Sequence, residues 1–296
     1  MNKWLWIFIS LGYVLTTHVA QAEANRSHSK PGNVLSASSS SKVSFPQVRS
    51  HIALIFDEQT QRPLFNKNAE TVAPIASITK LMTAMVVLDA QLPMDEVVSV
   101  AEDDSGTRKR SRSRLSIGMT FTRSELLKMA LMASENRAAL ALAKSYPGGT
   151  AAAVAAMNTK ARELGMQNTR FYDPTGLSSD NVSTANDLAK MVAAARNYDL
   201  IQQYSTTATL SVDSLSGRAL RFSNTNPLVR SASWDIGVSK TGFISEAGLC
   251  LVMAAKINQR PVIIVLLNSW GKRTRIGDAN RIRKWMESAY AREHRT

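Results

Sequence analysis

Ser77 and Lys80 stand three residues apart in Ser77-Ile78-Thr79-Lys80. A serine becomes a nucleophile when a neighbouring lysine is held unprotonated within hydrogen-bond reach. Positions i and i+3 share one helix face, so both side chains would enter one space. Pro74 precedes the segment and puts Ser77 in the first turn, where the partial positive charge of the helix end favours an attacking alkoxide. Between Ile75 and Ala90 the only charged residues are Lys80 and Asp89. A lysine on so apolar a helix is expected to be buried, and burial lowers its pKa. The spacing alone is not selective, because Ser27/Lys30, Ser39/Lys42 and Ser269/Lys272 repeat it. Only Ser77/Lys80 opens an apolar helix; an ordinary surface lysine is the alternative.

Two further groups could complete such a site. Ser134-Glu135-Asn136 falls between two helical patterns, where a hydroxyl and an amide could relay a proton and hold a substrate amide. Helix capping by Ser and Asn is the plainer explanation, and Ser179-Asp180-Asn181 has the same spacing. Lys240-Thr241-Gly242 occurs once, at the end of an expected strand and before a turn. Its Lys offers positive charge, its Thr a donor to a carboxylate, and its Gly close approach of a substrate backbone. The alternative is a strand that merely ends in Gly.

Other chemistries lack their residues. Of four histidines, His18 lies in the apolar amino-terminal stretch, His28 in a serine-rich segment and His294 near the end, which leaves His51. A Ser-His-Asp triad therefore has almost no imidazole to use. Zinc ligands are equally scarce, no H-E-x-x-H occurs, and no metal or cofactor is expected. No Gly-rich phosphate-binding motif is present.

The elements that must position these groups follow from periodicity. Ile52–Phe56 and Pro63–Phe65 read as strands around a turn. Ile78, Leu81, Met82, Met85 and Val86 trace one helical face. Thr122-x-x-Glu125 is a capping box opening a helix that runs to Met132. Further helices are expected from Asn136 to Lys144, from Ala151 to Leu164, and across 184–204. Strands follow at 210–212, 220–222, Ile236–Ser239, Leu249–Ile257 and Val262–Leu267, and Arg275–Glu293 closes as a helix. Short turns between the late strands require antiparallel pairing. The expectation is an α+β fold: an antiparallel sheet flanked by helices, with a helical insertion and the first strands joined to the last.

The 296 residues carry 36 Lys+Arg against 23 Asp+Glu, a net charge of +13, and are 44% hydrophobic. That excludes a wholly disordered chain, a collagen and a disulfide scaffold. Lys3, the apolar stretch 4–19 and the small-x-small site Ala20-Gln21-Ala22 read as a signal peptide over 1–22, with an uncleaved anchor as the alternative. Residues 23–50 hold nine serines and read as a linker, so the folded domain is expected over 51–296. The single Cys250 lies in an apolar strand pattern and reads as a core residue. Residues 108–114 carry five positive charges and no acid.

The set S-x-x-K, S-x-N, K-T-G, in that order, resembles penicillin-binding proteins and serine β-lactamases from about residue 50 to 290. Pro74–Thr83 and Phe171-Tyr172-Asp173-Pro174-Thr175-Gly176-Leu177 are similar to signatures of low-molecular-mass D-Ala-D-Ala peptidases. Glu135 in the middle of Ser134-Glu135-Asn136 is similar to the endopeptidase branch, the penicillin-binding protein 7 type. The resemblance implies a β-lactamase/DD-peptidase-like fold. It implies Ser77 as acylated nucleophile, Lys80 as general base, and Ser134 bridging toward Lys240 to help protonate the leaving amine. It also implies Asn136 on the substrate backbone, Thr241 on a substrate carboxylate, and the amides of Ser77 and Phe243 as oxyanion hole, with Gly242 between. Lys240 would keep Lys80 neutral by repulsion. The implied partners are peptidoglycan stem peptides in the periplasm, cut at D-Ala–diaminopimelate cross-links, and β-lactams as covalent inhibitors.

Rival readings remain. A D,D-carboxypeptidase shares every motif, although such enzymes often carry a further carboxy-terminal domain and an amphipathic membrane helix. A class A β-lactamase would need an E-x-x-L-N segment, which is not found. The net charge and the 108–114 run motivate a cationic wall-binding or nucleic-acid-binding protein. The leader and the three motifs argue against nucleic acid. The run is better read as a solvated loop that offers contact with anionic wall polymer or a membrane surface.

Overall fold

The computed structural model describes residues 45–102, 113–213 and 219–293. The leader over 1–22, most of the serine-rich segment and 108–112 of the basic run lie outside the described residues.

Strands β1 (Ile52–Asp57) and β2 (Arg62–Lys67) form a hairpin, followed by the short β3 (Ala73–Pro74). A 3-10 turn over Ala76–Ile78 leads into α1 (Thr79–Asp89). The antiparallel pair β4 (Val97–Ser99) and β5 (Thr120–Thr122) precedes α2 (Arg123–Met132), α3 (Asn136–Lys144) and α4 (Gly149–Glu163). Then β6 (Val182–Ser183) pairs back to β3. Next come α5 (Ala185–Ala195), α6 (Asp199–Ser205) and the hairpin β7 (Thr209–Asp213)/β8 (Ala219–Ser223). Three ten-residue strands, β9 (Asp235–Ile244), β10 (Gly248–Ile257) and β11 (Arg260–Ser269), lead to α7 (Thr274–Glu293).

The main sheet has the order β2-β1-β11-β10-β9, antiparallel throughout. The first strands thus pair with the last, and the helical segments are inserted between them. Successive side chains on a strand face opposite ways, and the sheet uses both faces. On β11, Ile263, Val265 and Leu267 enter the core under α1, α2 and α5, while Val262, Ile264 and Leu266 meet Ala279, Ile282 and Met286 of α7. That is why β11 reads as a continuous apolar run rather than an alternation.

Helix α1 is buried all round from Thr79 to Val87, not on one face as its periodicity suggested. It runs through the middle of the helical region, so its polar residues must find internal partners. The capping box is present: Thr122 Oγ1 accepts from the Glu125 amide at 3.1 Å and Glu125 accepts from the Thr122 amide at 2.9 Å. The expected helix over 184–204 is two helices. Their junction is pinned from outside: the Tyr198 hydroxyl donates to Asp89 at 2.7 Å.

Two boundaries shift. The linker was expected to run to residue 50, yet Val48 and Ser50 are buried. The Ser50 amide and hydroxyl donate to Asp278 of α7 at 2.7 and 2.5 Å, and Lys67 Nζ donates to the carbonyls of Val48 and Ser50 at 3.1 and 2.9 Å. Second, Lys240-Thr241-Gly242 does not end a strand. It lies inside β9, which continues to Ile244 because its partner β10 stays in register to Gly248.

Candidate active site

Three parts of the chain supply the site. The first is the turn before α1. Ala76 adopts φ +49°, a left-handed conformation that costs an L-residue roughly 1–2 kcal/mol. It is held by two close glycine approaches. A Cβ on Gly176 (φ +80°) would lie 2.0 Å from the Ala76 carbonyl oxygen, and one on Gly242 would lie 3.2 Å from the Ser77 amide nitrogen. Ser77 therefore sits on a turn clamped between the 171–177 segment and β9, slightly before α1 rather than inside its first turn.

Lys80 is about 1% exposed, and its Nζ is 2.9 Å from Ser77 Oγ, 2.5 Å from Asn136 Oδ1 and 2.5 Å from the Thr175 carbonyl oxygen. A neutral amine has two N–H donors and one lone pair. Two of these partners can only accept, and the third is a hydroxyl that can donate. The unprotonated form is thus fully satisfied with its lone pair toward Ser77. Burial lowers the Lys80 pKa to about 7, against opposing pulls from Asp173 and Glu135.

The second part is the α2–α3 junction. Ser134 adopts φ +59°, another left-handed residue beside the reacting groups. Glu135 caps α3 by accepting from the Arg137 amide at 3.2 Å, which leaves Ser134 and Asn136 to face the cleft. The third part is β9. Lys240 and Gly242 share a side of the strand with Val238 and Ile244, which belong to the core under the helices. Lys240 Nζ donates to Ser134 Oγ at 2.8 Å and to the Thr241 carbonyl at 2.9 Å. Thr241 Oγ1 donates to Thr225 Oγ1 at 2.7 Å. Phe243, the residue after Gly242, is exposed.

The structure thus gathers two hydrogen-bonded groups, Ser77–Lys80–Asn136 and Ser134–Lys240, close enough for the two lysines to repel, with Gly242 against the Ser77 turn. One electrostatic expectation changes. Burial, not Lys240, is the main cause of the lowered Lys80 pKa; the repulsion is felt at Lys240, whose pKa burial and then Lys80 and Arg275 push well below the ordinary range. Burial and its cationic neighbours thus both work against charge on Lys240.

Several supporting residues escaped the sequence reading. Asp173 Oδ1 accepts from the Thr175 amide and hydroxyl and the Gly176 amide at 2.6, 2.5 and 2.8 Å, shaping the loop whose carbonyl meets Lys80. Asn181 Oδ1 accepts from the Tyr172 and Asp173 amides, and its Nδ2 donates to Thr79 Oγ1 at 3.0 Å. Thr83 Oγ1 donates to the Pro174 carbonyl at 2.7 Å. Arg275 Nη1 donates to the carbonyls of Gly242 and Cys250 at 2.8 and 3.1 Å, placing a guanidinium behind the β9 end. The Phe171–Leu177 signature was the one available pointer to the first of these. Cys250 is buried, and burial raises its thiol to about 11, as suits an inert core residue. Among the described residues no group of three His, Cys, Asp or Glu is placed to hold a metal ion.

Comparison with known proteins agrees with this geometry. The family described as D-alanyl-D-alanine carboxypeptidase matches residues 39–271. A protein of Pseudomonas aeruginosa named D-alanyl-D-alanine endopeptidase is 48% identical over 258 residues, covering 86% of this chain and 83% of its own. One of the same name from Escherichia coli K12 is 46% identical, covering 87% and 84%. The crystal structure of the Streptomyces K15 DD-transpeptidase superposes with a TM-score of 0.75 at 29% identity, covering 82% of this chain and 98% of that one. Penicillin-binding protein D2 of Listeria monocytogenes, in its cefotaxime-bound form, gives 0.71 at 27% identity, covering 80% and 97%. With the clamped serine, the buried lysine and the β9 strand in place, the chain belongs to the serine-type D-alanyl-D-alanine peptidase family and has its β-lactamase-like fold.

Proposed function

We propose that the protein is a D-alanyl-D-alanine endopeptidase that hydrolyses D-Ala–diaminopimelate cross-links of peptidoglycan. The observation that carries the reading is Lys80 joined to Ser77, Asn136 and the Thr175 carbonyl in a chain whose near relatives bear that name. Ser77 Oγ attacks the D-Ala carbonyl carbon while its proton passes to Lys80 Nζ. The oxyanion is received by the amides of Ser77 and Phe243, each donor contributing roughly 2.7–4 kcal/mol. The C–N bond then breaks, and the departing diaminopimelate amine takes, by way of Ser134 beside Lys240, the proton that Lys80 accepted, which returns Lys80 to its neutral form. Water, deprotonated by Lys80, resolves the D-Ala ester and frees Ser77.

Three features support substrate binding here. β9 is an outer strand of the sheet, so an extended peptide can lie along its open edge. Asn136 lies across from it to hold the peptide backbone. The carboxylate beside the scissile bond meets Thr241, Lys240 and the Arg275 side of β9, and its negative charge favours the ammonium form of Lys240 against the burial that opposes it. A β-lactam enters the same place and acylates Ser77. The 1–22 leader and the following tether place this chemistry in the periplasm, a proposal that rests on the sequence.

A carboxypeptidase is the second reading, favoured by the family description over 39–271. Digestion of cross-linked dimer muropeptides and free pentapeptides decides between them. Monomers without free D-Ala are expected; free D-Ala from pentapeptide with intact dimers would reverse the assignment. Ser77→Ala is expected to lose both penicillin labelling and dimer cleavage, and retained labelling would remove Ser77 as nucleophile.

A further inference from the structure

Beside the catalytic wall, α4 and the segment leading to Tyr172 enclose an open groove of about 530 Å³. Asn158 staples the two sides, exchanging hydrogen bonds with the Phe171 backbone at 2.8 and 3.0 Å. Arg162, Gln167, Arg170 and Tyr172 line it and are exposed. Several arginines elsewhere in the fold meet carboxylates, as in Arg123–Glu96, Arg196–Glu58 and Arg260–Asp57. In the groove, among the described residues, neither guanidinium does. Arg162 donates to the Thr159 hydroxyl at 2.9 Å, and the Arg170 guanidinium lies 5.1 Å over the Tyr172 ring. The groove thus offers two unneutralised planar cations, an amide and an aromatic surface, within the size range of sites that bind small ligands.

Its position matters as much as its chemistry. The Tyr172 amide donates at 2.7 Å to Asn181, which in turn donates to Thr79 between Ser77 and Lys80. Three residues beyond Tyr172 the chain delivers the Thr175 carbonyl to Lys80. The groove therefore borders the wall of the cleft.

We propose that this groove is a second, non-catalytic site that holds an acidic stem peptide of the wall adjacent to the one being cut. The identity of the ligand, though not the existence of the site, rests on the wall-substrate reading above. Stem peptides with diaminopimelate carry free carboxylates, which match guanidinium forks bidentately. The Tyr172 ring offers a flat surface to the peptide or its attached sugar. Holding a neighbouring stem would keep the enzyme on an insoluble, repetitive substrate between cuts, by raising the effective concentration of the next cross-link.

The test uses the full chain in a Ser77→Ala background, so that binding is read without cutting. Sedimentation with purified sacculi gives the bound fraction against protein concentration. The pair Arg162→Gln/Arg170→Gln and, separately, Tyr172→Ala are compared with the parent after their thermal midpoints are matched. The arginine pair is expected to weaken sacculus binding about five-fold, the scale of two partly exposed ion pairs. Glycan strands stripped of stems by an amidase should bind the parent no better than they bind the pair variant. Equal binding of parent and variants to sacculi, or equal binding of the parent to stripped and intact strands, would overturn the site. Muropeptide digestion reads the cut alone, so either conclusion can fail without the other.

Discussion

Lys80 and Lys240 are both about 1% exposed, both have lowered pKa values, and both end on a serine hydroxyl. Their surroundings differ. Lys80 has three partners and two acids, Asp173 and Glu135, pulling toward its charged form. Lys240 has two partners and two cations, Lys80 and Arg275, pushing away from it. Burial poises the first amine near neutrality, with its hydrogen bonds complete when unprotonated. The second makes two hydrogen bonds and has cations, not acids, as its charged neighbours. In the proposed mechanism the helical side of the cleft supplies the base, and the strand side supplies a cation that a substrate carboxylate would stabilise. A buried lysine thus becomes a proton acceptor or an anion receptor according to which charges stand beside it.

The largest test of this contrast removes the base. Lys80→Met keeps the apolar stem and is expected to slow Ser77 acylation by about three orders of magnitude, within the range of a lost general base. Stopped-flow β-lactam acylation measures it, and a loss below ten-fold would assign the proton to another group. Gly242→Ala probes the clamp between the two sides. The added Cβ would meet the Ile75 carbonyl at 2.9 Å, Ala76 Cβ at 3.1 Å and the Ser77 amide at 3.2 Å. A displacement of this kind near the nucleophile is expected to lower kcat/KM about a hundred-fold with little change in thermal midpoint. Wild-type kinetics would mean that β9 does not gauge the Ser77 turn.

The smallest effect sharpens the electrostatics. Acylation needs neutral Lys80, so its rate should rise with pH through an ascending limb near the Lys80 value of about 7. Glu135 favours the charged amine. Glu135→Gln keeps an acceptor for the α3 cap, removes that pull, and should move the limb to lower pH. A limb that stays in place or moves to higher pH would detach Glu135 from the base. The linked stability has the matching sign. Unfolded Lys80 titrates near 10.5 and folded Lys80 near 7, so between those values the unfolded chain holds more protons and stability rises with pH.

Locally coded features were legible. Thr122 and Glu125 signal a helix start within four residues, and α3 opens at Asn136 as its pattern indicated. Features that depend on distant chain were not. The strand was expected to end at Ser239, since Lys240 and Gly242 are poor strand formers; pairing with β10 carries it five residues farther, to Ile244, in register. Asn181 looked like one more Ser-x-Asn residue, yet it bonds Thr79, 102 positions away. Arg275 was expected only to open the closing helix, yet it reaches the back of Gly242.

By itself the sequence determined which groups are available: one serine–lysine pair on an apolar helix, one K-T-G, almost no histidine, and strands apolar enough to be covered on both faces. Only the tertiary structure decided what those groups are. Residue types and spacings are local, but a lysine's protonation depends on everything packed around it. At Lys80 that includes Asn136, Thr175, Asp173 and Glu135, which come from segments distant in sequence.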